Sequence, residues 1–274
     1  VLDQYAVIGN PVAHSKSPFI HARFAAQTGQ ALEYTRILAE PEQFRLRVHN
    51  FFVAGGKGLN VTVPFKQEAF ALADSLSPQA TLAGAVNTLA LDPEGRIHGH
   101  NTDGVGLVRD ILGNLGQELR GQRILVLGAG GATRGILQPL LEQNPQSLFI
   151  ANRTAAKARE LAAIFSNLGS VQGGGFDEVE AQPVDWIINA TAASLQGELP
   201  PLPPQIITRA TRCYDLMYGT EPTVFCQWAL TLGAGIAADG LGMLVEQAAE
   251  SFLLWRGLRP DTTGVIEALR KELG

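Results

Sequence analysis

Arg123-Ile-Leu-Val-Leu127 runs without a break into Gly128-Ala-Gly130-Gly131-Ala132-Thr133, and a segment with helical spacing follows. A short apolar run without alternation suits a strand buried on both faces of a parallel sheet. A glycine turn directly after such a strand, opening a helix, is the arrangement dinucleotide folds use. The first glycine permits the tight turn and the second lets a diphosphate approach the backbone. Free N–H groups at the helix start then face the phosphate oxygens. The third glycine of the usual spacing falls at Thr133, so the pattern is loose. A glycine turn can also end a strand for structural reasons alone; the flanking strand and helix favour nucleotide binding here.

The next strand, Leu148–Ala151, runs into Asn152-Arg153-Thr154, with Lys157 shortly after. An unphosphorylated ribose is usually met by Asp or Glu about 20 residues past the glycines, and no carboxylate stands at this strand end. Arg153 and Lys157 suit a 2′-phosphate instead, because a guanidinium grips phosphate oxygens with two parallel donors. The expected cofactor is therefore NADP rather than NAD. The bland alternative places both cations on a solvated helix face.

Outward from this core, Trp186–Asn189 and Arg212–Leu216 read as further buried strands. Ala155–Phe165 is a helix with Ala155, Ala158, Leu161, Ala162 and Phe165 on one face. Pro139 interrupts the helix after the first strand and predicts a kink. Residues 1–104 alternate as well: strands over Tyr5–Gly9, Leu32–Leu38, Leu59–Val63 and Val86–Leu91, a helix over Pro18–Thr28 ended by Gly29, and another opening at Pro64 and Phe65. Leu241 to Gly274 reads as two helices joined near Gly257–Pro260. The expected fold is a two-domain α/β chain. Residues 1–104 form an N-terminal α/β domain, 105–240 a Rossmann-type NADP-binding domain, and the C-terminal helices of 241–274 return to the first domain.

Composition agrees. Of 274 residues, 46% are hydrophobic, enough for packed cores, and 17% are charged, too few for a disordered chain. The net charge of −5 and the lack of a basic stripe argue against nucleic acid. The longest uncharged run near the C-terminus, Pro222 to Ala238, is broken by polar residues and reads as loop, helix and strand, not a membrane span. No basic segment followed by an apolar one opens the sequence. Cys213 and Cys226 form no metal-like set and suit buried apolar filling. A cytoplasmic protein is expected, with no membrane partner; the oligomeric state stays open, a homodimer being one option.

Polar clusters gather in the first part. Gly9-Asn-Pro-Val-Ala-His14-Ser15-Lys16-Ser17-Pro18 precedes a helix, where Ser15 and Ser17 could cap it or hold a carboxylate. In Gly58-Leu-Asn60-Val-Thr62-Val63-Pro64-Phe65-Lys66, Asn60 and Thr62 share a strand face. Lys66 starts a helix, where the macrodipole disfavours a cation. Gly84-Ala-Val-Asn87-Thr88 and Gly99-His-Asn101-Thr102-Asp103-Gly104 add amides, hydroxyls and a carboxylate, although Asp103 could be an N-cap.

With GAGGA, NRT, INAT, YDLMYG and DGLGMLVEQA following in order, these motifs resemble the shikimate dehydrogenase family along nearly the whole chain. The resemblance implies an oxidoreductase of aromatic amino acid biosynthesis, with shikimate and 3-dehydroshikimate as its small-molecule substrates. It implies that Ser15 and Ser17 hold the substrate carboxylate with Tyr218 assisting. Thr62, Asn87 and Gln247 bind ring hydroxyls, with Asn60 a neighbour. Lys66 and Asp103 bracket the reacting hydroxyl, Lys66 as acid–base group and Asp103 as its orienter. Gly128, Ala129, Gly130, Gly131 and Ala132 carry the diphosphate; Asn152, Arg153, Thr154 and Lys157 carry the 2′-phosphate; Leu216, Gly240 and Met243 border the nicotinamide. Closure about Gly104 and Gly240 follows as an expectation from the domain order. No metal is implied.

Two positions depart from the pattern. Ala22 stands after His21 where Asn is frequent, and Ser194 replaces a Gly in Thr191-Ala-Ala-Ser194-Leu195. Rival readings are a quinate/shikimate dehydrogenase of broader specificity, a methylenetetrahydrofolate dehydrogenase-like enzyme, and a non-catalytic NADPH-binding regulator. Arg153 without an acidic neighbour disfavours the first. The paired serines disfavour the second, and retention of both Lys66 and Asp103 the third.

Overall fold

The computed structural model describes residues 2–274. Contacts divide the chain into two units: one reaches to Gly106 and resumes over Val245–Lys271, and the other comprises Leu107–Leu244 with Glu272–Gly274.

The first unit runs β1 (Asp3–Gly9), α1 (Ser17–Thr28), β2 (Leu32–Leu38), α2 (Phe44–Val53), β3 (Gly56–Val61), α3 (Lys66–Leu72), β4 (Ser75–Leu76), α4 (Pro78–Ala83), β5 (Thr88–Leu91), β6 (Ile97–His100) and the start of α5 (Asp103–Arg109). Its strands lie in the order β2-β1-β3-β5-β6-β4. The first three are parallel, whereas β5 is antiparallel to both neighbours. Successive residues of β1 point to opposite faces. Ala6 and Ile8 join Phe44, Leu59, Phe65 and Leu89 on one side, while Tyr5 and Val7 join Tyr34 and Trp255 on the other. Two buried faces explain why β1 reads as an apolar run.

Most boundaries lie within two residues of expectation. Gly29 ends α1 in the left-handed region at φ 65°. The strand expected over Leu59–Val63 is displaced, starting at Gly56 and leaving the sheet at Thr62, and that expected over Val86–Leu91 is shorter, joining the sheet only at Thr88. The sequence reading did not pick out α2, although Phe44, Val48 and Phe52 recur every fourth residue and are its buried face.

The second unit contains β7 (Arg123–Leu127), α6 (Gly131–Leu141), β8 (Ser147–Ala151), α7 (Ala155–Phe165), β9 (Val171–Gly174), β10 (Trp186–Asn189), β11 (Arg212–Asp215), α8 (Val224–Thr231), β12 (Ile236–Ala238) and the start of α9 (Leu241–Arg256). Among the described residues its sheet is wholly parallel, in the order β12-β11-β10-β7-β8-β9. In chain order this is the 3-2-1-4-5-6 plan of the doubly wound dinucleotide fold, which settles the expected fold class. The order reverses between β7 and β10, the place where such sheets bind ligands beyond their strand ends. Pro139, where a kink is expected, lies inside α6, which runs two residues past it; its ring removes one N–H from the helix's hydrogen-bond ladder. α7 buries Ala158, Leu161, Ala162 and Phe165, as its spacing requires. Cys213 and Cys226 are buried, and desolvation pushes their thiols up to about 12 and about 11, so both are inert filling.

Gly257, at φ 67°, separates α9 from α10 (Thr263–Leu273), which buries Val265 and Leu269.

Candidate active site

In the first unit, α3 begins at Lys66 and α5 at Asp103. Lys66 Nζ donates to Asp103 Oδ2 at 2.6 Å, and both side chains are partly open to solvent, at 33% and 17%. The pair is held from behind. Asn87 Nδ2 donates to Asp103 Oδ1 at 2.9 Å and lies 2.9 Å from Thr102 Oγ1 and 3.3 Å from Gln247 Oε1. Asn87 Oδ1 accepts from the Thr102 backbone N–H at 3.0 Å, and Lys66 is anchored where its carbonyl accepts from Val86 N at 2.9 Å. Gly106 lets Gln247 come this near: a Cβ there would stand 2.8 Å from the Gln247 backbone nitrogen. A cation, a carboxylate, two amides and a hydroxyl thus converge on one small region.

The N-cap residue of α1, Lys16, offers no side-chain cap bond. Ser15 Oγ accepts from Ser17 N, the first N–H of α1, at 3.3 Å and lies 3.2 Å from Ser17 Oγ, so Ser15 serves the helix opening while both hydroxyls stand together there. Arg36 donates to the Ser15 carbonyl at 2.6 Å and braces the loop. Asp103 is the first residue of α5 rather than its cap; its own N–H donates to Asn101 Oδ1 at 3.1 Å, leaving its carboxylate for Lys66 and Asn87.

Asn60 is enclosed at 6% exposure. Its Oδ1 accepts from Tyr34 Oη at 2.7 Å, and its Nδ2 faces Thr88 Oγ1 at 3.1 Å and Ser251 Oγ at 2.9 Å. Its side chain is therefore engaged by protein groups, while Thr62, just past the end of β3, is half-buried. Sequence reading missed Tyr34 and Ser251. Ser251 was findable, since it lies one helical turn beyond Gln247 on a largely apolar helix.

His21 lies in the same core, stacked on Tyr34 with ring centroids 4.2 Å apart. Burial pushes its pKa from 6.5 down to about 3. A depressed imidazole pKa contributes stability that is present above the unfolded value near 6.5 and lost as pH falls toward 3. The expected slope from this residue is about 1.4 kcal/mol per pH unit within that window. Urea midpoints measured at pH 7 and 4.5 should therefore converge for His21→Gln relative to the parent. Equal acid losses in both proteins would refute the assignment.

In the second unit, Gly128 has φ 100°, where a β-carbon is strained, and one built there would stand 3.1 Å from Thr191 Cγ2. Gly130 and Gly131 face open space, so backbone is presented there without side-chain cover. Thr133, standing where a third glycine is usual, is fully buried and donates from Oγ1 to the Gly128 carbonyl at 2.9 Å, pinning the turn. The exposed backbone of Gly130, Gly131 and Ala132 at the start of α6 fits a diphosphate. Beyond β8, Arg153 and Lys157 are exposed and have no carboxylate partner among the described residues, which fits a 2′-phosphate. Leu216, Tyr218, Gly240 and Met243 belong to this unit as well, on the segments following β11 and β12.

A parallel sheet with this strand order and an open glycine turn is the plan of the nucleotide-dependent dehydrogenases, and the Lys66–Asp103 pair is of a chemical type that can pass a proton. Comparison with known proteins narrows the class. Residues 7–89 match the shikimate dehydrogenase substrate binding domain, 108–196 match shikimate / quinate 5-dehydrogenase, and 240–270 match the shikimate 5′-dehydrogenase C-terminal domain. The shikimate dehydrogenase (NADP(+)) of Methylococcus capsulatus is 57% identical, covering 98% of this chain and 97% of its own. That of Cellvibrio japonicus is 56% identical, covering 99% and 98%. The crystal structure of shikimate 5-dehydrogenase from Thermus thermophilus in complex with NADP(H) and shikimate superposes with a TM-score of 0.87 at 35% identity, covering 99% of this chain and 100% of the other. The chain belongs to the shikimate dehydrogenase family.

Proposed function

We propose that this protein catalyses the reversible, NADP-linked reduction of 3-dehydroshikimate to shikimate, a step of aromatic amino acid biosynthesis. The observation that carries the reading is the 2.6 Å Lys66–Asp103 pair ringed by Asn87, Thr102 and Gln247, in a chain 57% identical to a shikimate dehydrogenase (NADP(+)).

The first unit binds the substrate. Ser15 and Ser17 present hydroxyls at the opening of α1 to the ring carboxylate. Thr62, Asn87 and Gln247 hold ring hydroxyls, with Asn60 supporting Asn87 from below through a 3.3 Å bond to its carbonyl. In the reducing direction, the Lys66 ammonium donates a proton to the carbonyl oxygen as it becomes an alkoxide. In the reverse direction, the Lys66 amine accepts the hydroxyl proton. Asp103 accepts from Lys66 and keeps Nζ aimed at that oxygen, while Asn87 fixes the carboxylate through its other oxygen.

The second unit binds NADP, whose nicotinamide supplies or takes up the hydride when bound. Gly128 to Ala132 hold the diphosphate, Asn152 to Lys157 the 2′-phosphate, and Leu216, Gly240 and Met243 border the ring. A homodimer and a cytoplasmic location complete the reading. No helix among the described residues is long and apolar enough to cross a membrane.

The test is a steady-state absorbance assay at the NADPH band, with shikimate or quinate against NADP⁺ or NAD⁺. Turnover preferring shikimate and NADP⁺ is expected. Equal use of quinate and NAD⁺ would point to the broader-specificity enzyme, and no turnover with NADPH bound would point to a regulator.

A further inference from the structure

The carboxyl edge of the parallel sheet holds a buried carboxylate that no step above uses. Asp215 ends β11 and is wholly inaccessible. Its Oδ2 accepts from Ser194 Oγ at 2.6 Å and from Thr223 Oγ1 at 2.7 Å. Its Oδ1 accepts from the Met217 backbone N–H at 3.1 Å and from Asn189 Nδ2 at 3.2 Å. The four donors come from the end of β10, the turn Ala193–Gln196, the segment after β11, and the cap of α8. Each carboxylate oxygen has two donors, which matches the capacity of an ionised group.

The held parts adjoin the nucleotide turn. Asn189 Oδ1 accepts from Thr191 Oγ1 at 2.7 Å, and Thr191 is the side chain nearest the position a Gly128 Cβ would take. Met217 is gripped from its other end as well, because Gly240 N donates to its carbonyl at 3.0 Å. A Cβ on Gly240 would stand 2.2 Å from the Leu216 carbonyl oxygen, so the two segments touch backbone to backbone.

We propose that Asp215 is a positioning residue for the nicotinamide end of the nucleotide site: its carboxylate locks the Leu216–Tyr218 segment and the Thr191–Ser194 turn into one surface. The inference rests on the reading that Leu216, Gly240 and Met243 border the nicotinamide. It goes beyond that reading by assigning the order of this surface to one buried charge.

Stability points the same way. Burial pushes the Asp215 carboxyl above its ordinary value despite the four donors. A raised carboxyl pKa means stability that is present below the unfolded value and lost as pH rises through the folded one. At neutral pH the charge therefore opposes folding, and a neutral isostere should not unfold the protein. Asparagine cannot reproduce the function, because it offers one acceptor oxygen and turns an NH₂ group toward two of the four donors.

The experiment compares Asp215→Asn with the parent full-length protein. The expected result is a kcat lowered by about tenfold to a hundredfold, the scale for a reacting group displaced by about 1 Å. The KM for NADP⁺ should rise, and the fluorescence gain of NADPH on binding should be lost. The Tm at pH 7.5 should stay within about 3 °C of the parent. Inhibition by adenosine 2′,5′-bisphosphate, which lacks the nicotinamide half, should be unchanged. Near-parental kcat and NADPH fluorescence would overturn the proposal, and so would a matching loss of bisphosphate affinity, which reports general loosening. If Asp215→Asn does not fold, Ser194→Ala and Thr223→Val, each removing one donor, must show the same selective loss at smaller size; its absence in both overturns the proposal. If the parent binds NADPH but does not oxidise shikimate, the substrate reading fails alone, and the fluorescence comparison still decides the role of Asp215.

Discussion

Replacing Lys66 with Ala is expected to lower kcat by about 10³-fold while shifting the shikimate KM by no more than about threefold. The amine acts on a proton that moves only during reaction, so its loss raises the barrier more than it weakens binding. Lys66 is also one-third exposed, so the truncation leaves no dry cavity. Asp103→Asn keeps the acceptor that Asn87 uses but removes the charge that holds Nζ. Because the two residues act as one device, the double variant Lys66→Ala/Asp103→Asn should be no slower than Lys66→Ala alone. Partial recovery of Lys66→Ala by added methylammonium would identify the missing proton donor directly. Turnover of Lys66→Ala within about tenfold of the parent would remove this residue from the chemistry.

Arg153→Ala should raise the KM for NADP⁺ by about tenfold to a hundredfold and leave the NAD⁺ parameters unchanged. One charge-assisted bond to phosphate is worth about 1.5–3 kcal/mol. Because Arg153 is exposed, part of that is screened, and the parental preference for NADP⁺ should shrink as salt is raised. Lys157→Ala should act in the same direction with smaller size, since an ammonium offers no planar fork. An equal rise for both nucleotides would mean that Arg153 supports the loop rather than the 2′-phosphate.

Much of the second unit was legible locally. Ile124 to Leu127 are apolar because β7 lies between β10 and β8, and the glycines after it stand out because Gly128 needs a positive φ. Pro139 signals a disturbance of the helix from its own chemistry, and α6 contains it and continues two residues further. The strand β9 was hard to see because it is short, and Gly173 and Gly174 carry no side chains to betray a pattern. In the first unit the polar clusters were visible, but each admitted a capping role. Nothing near Asp103 in the chain says that its carboxylate turns away from the helix it begins.

The order of apolar runs, the glycine turn and the cation pair after β8 are properties of neighbouring residues, so the α/β class and the nucleotide preference could be read one segment at a time. The meeting of Lys66 with Asp103, 37 residues apart, and of Asn87 with Gln247, 160 apart, could not. Such contacts exist only once β5 is inserted antiparallel between β3 and β6 and the C-terminal helix joins the same unit. The same holds for Asp215, whose four donors gather only when the strand ends align. Backbone preference acts over a few residues, whereas a hydrogen bond between side chains depends on where whole strands are laid in the sheet.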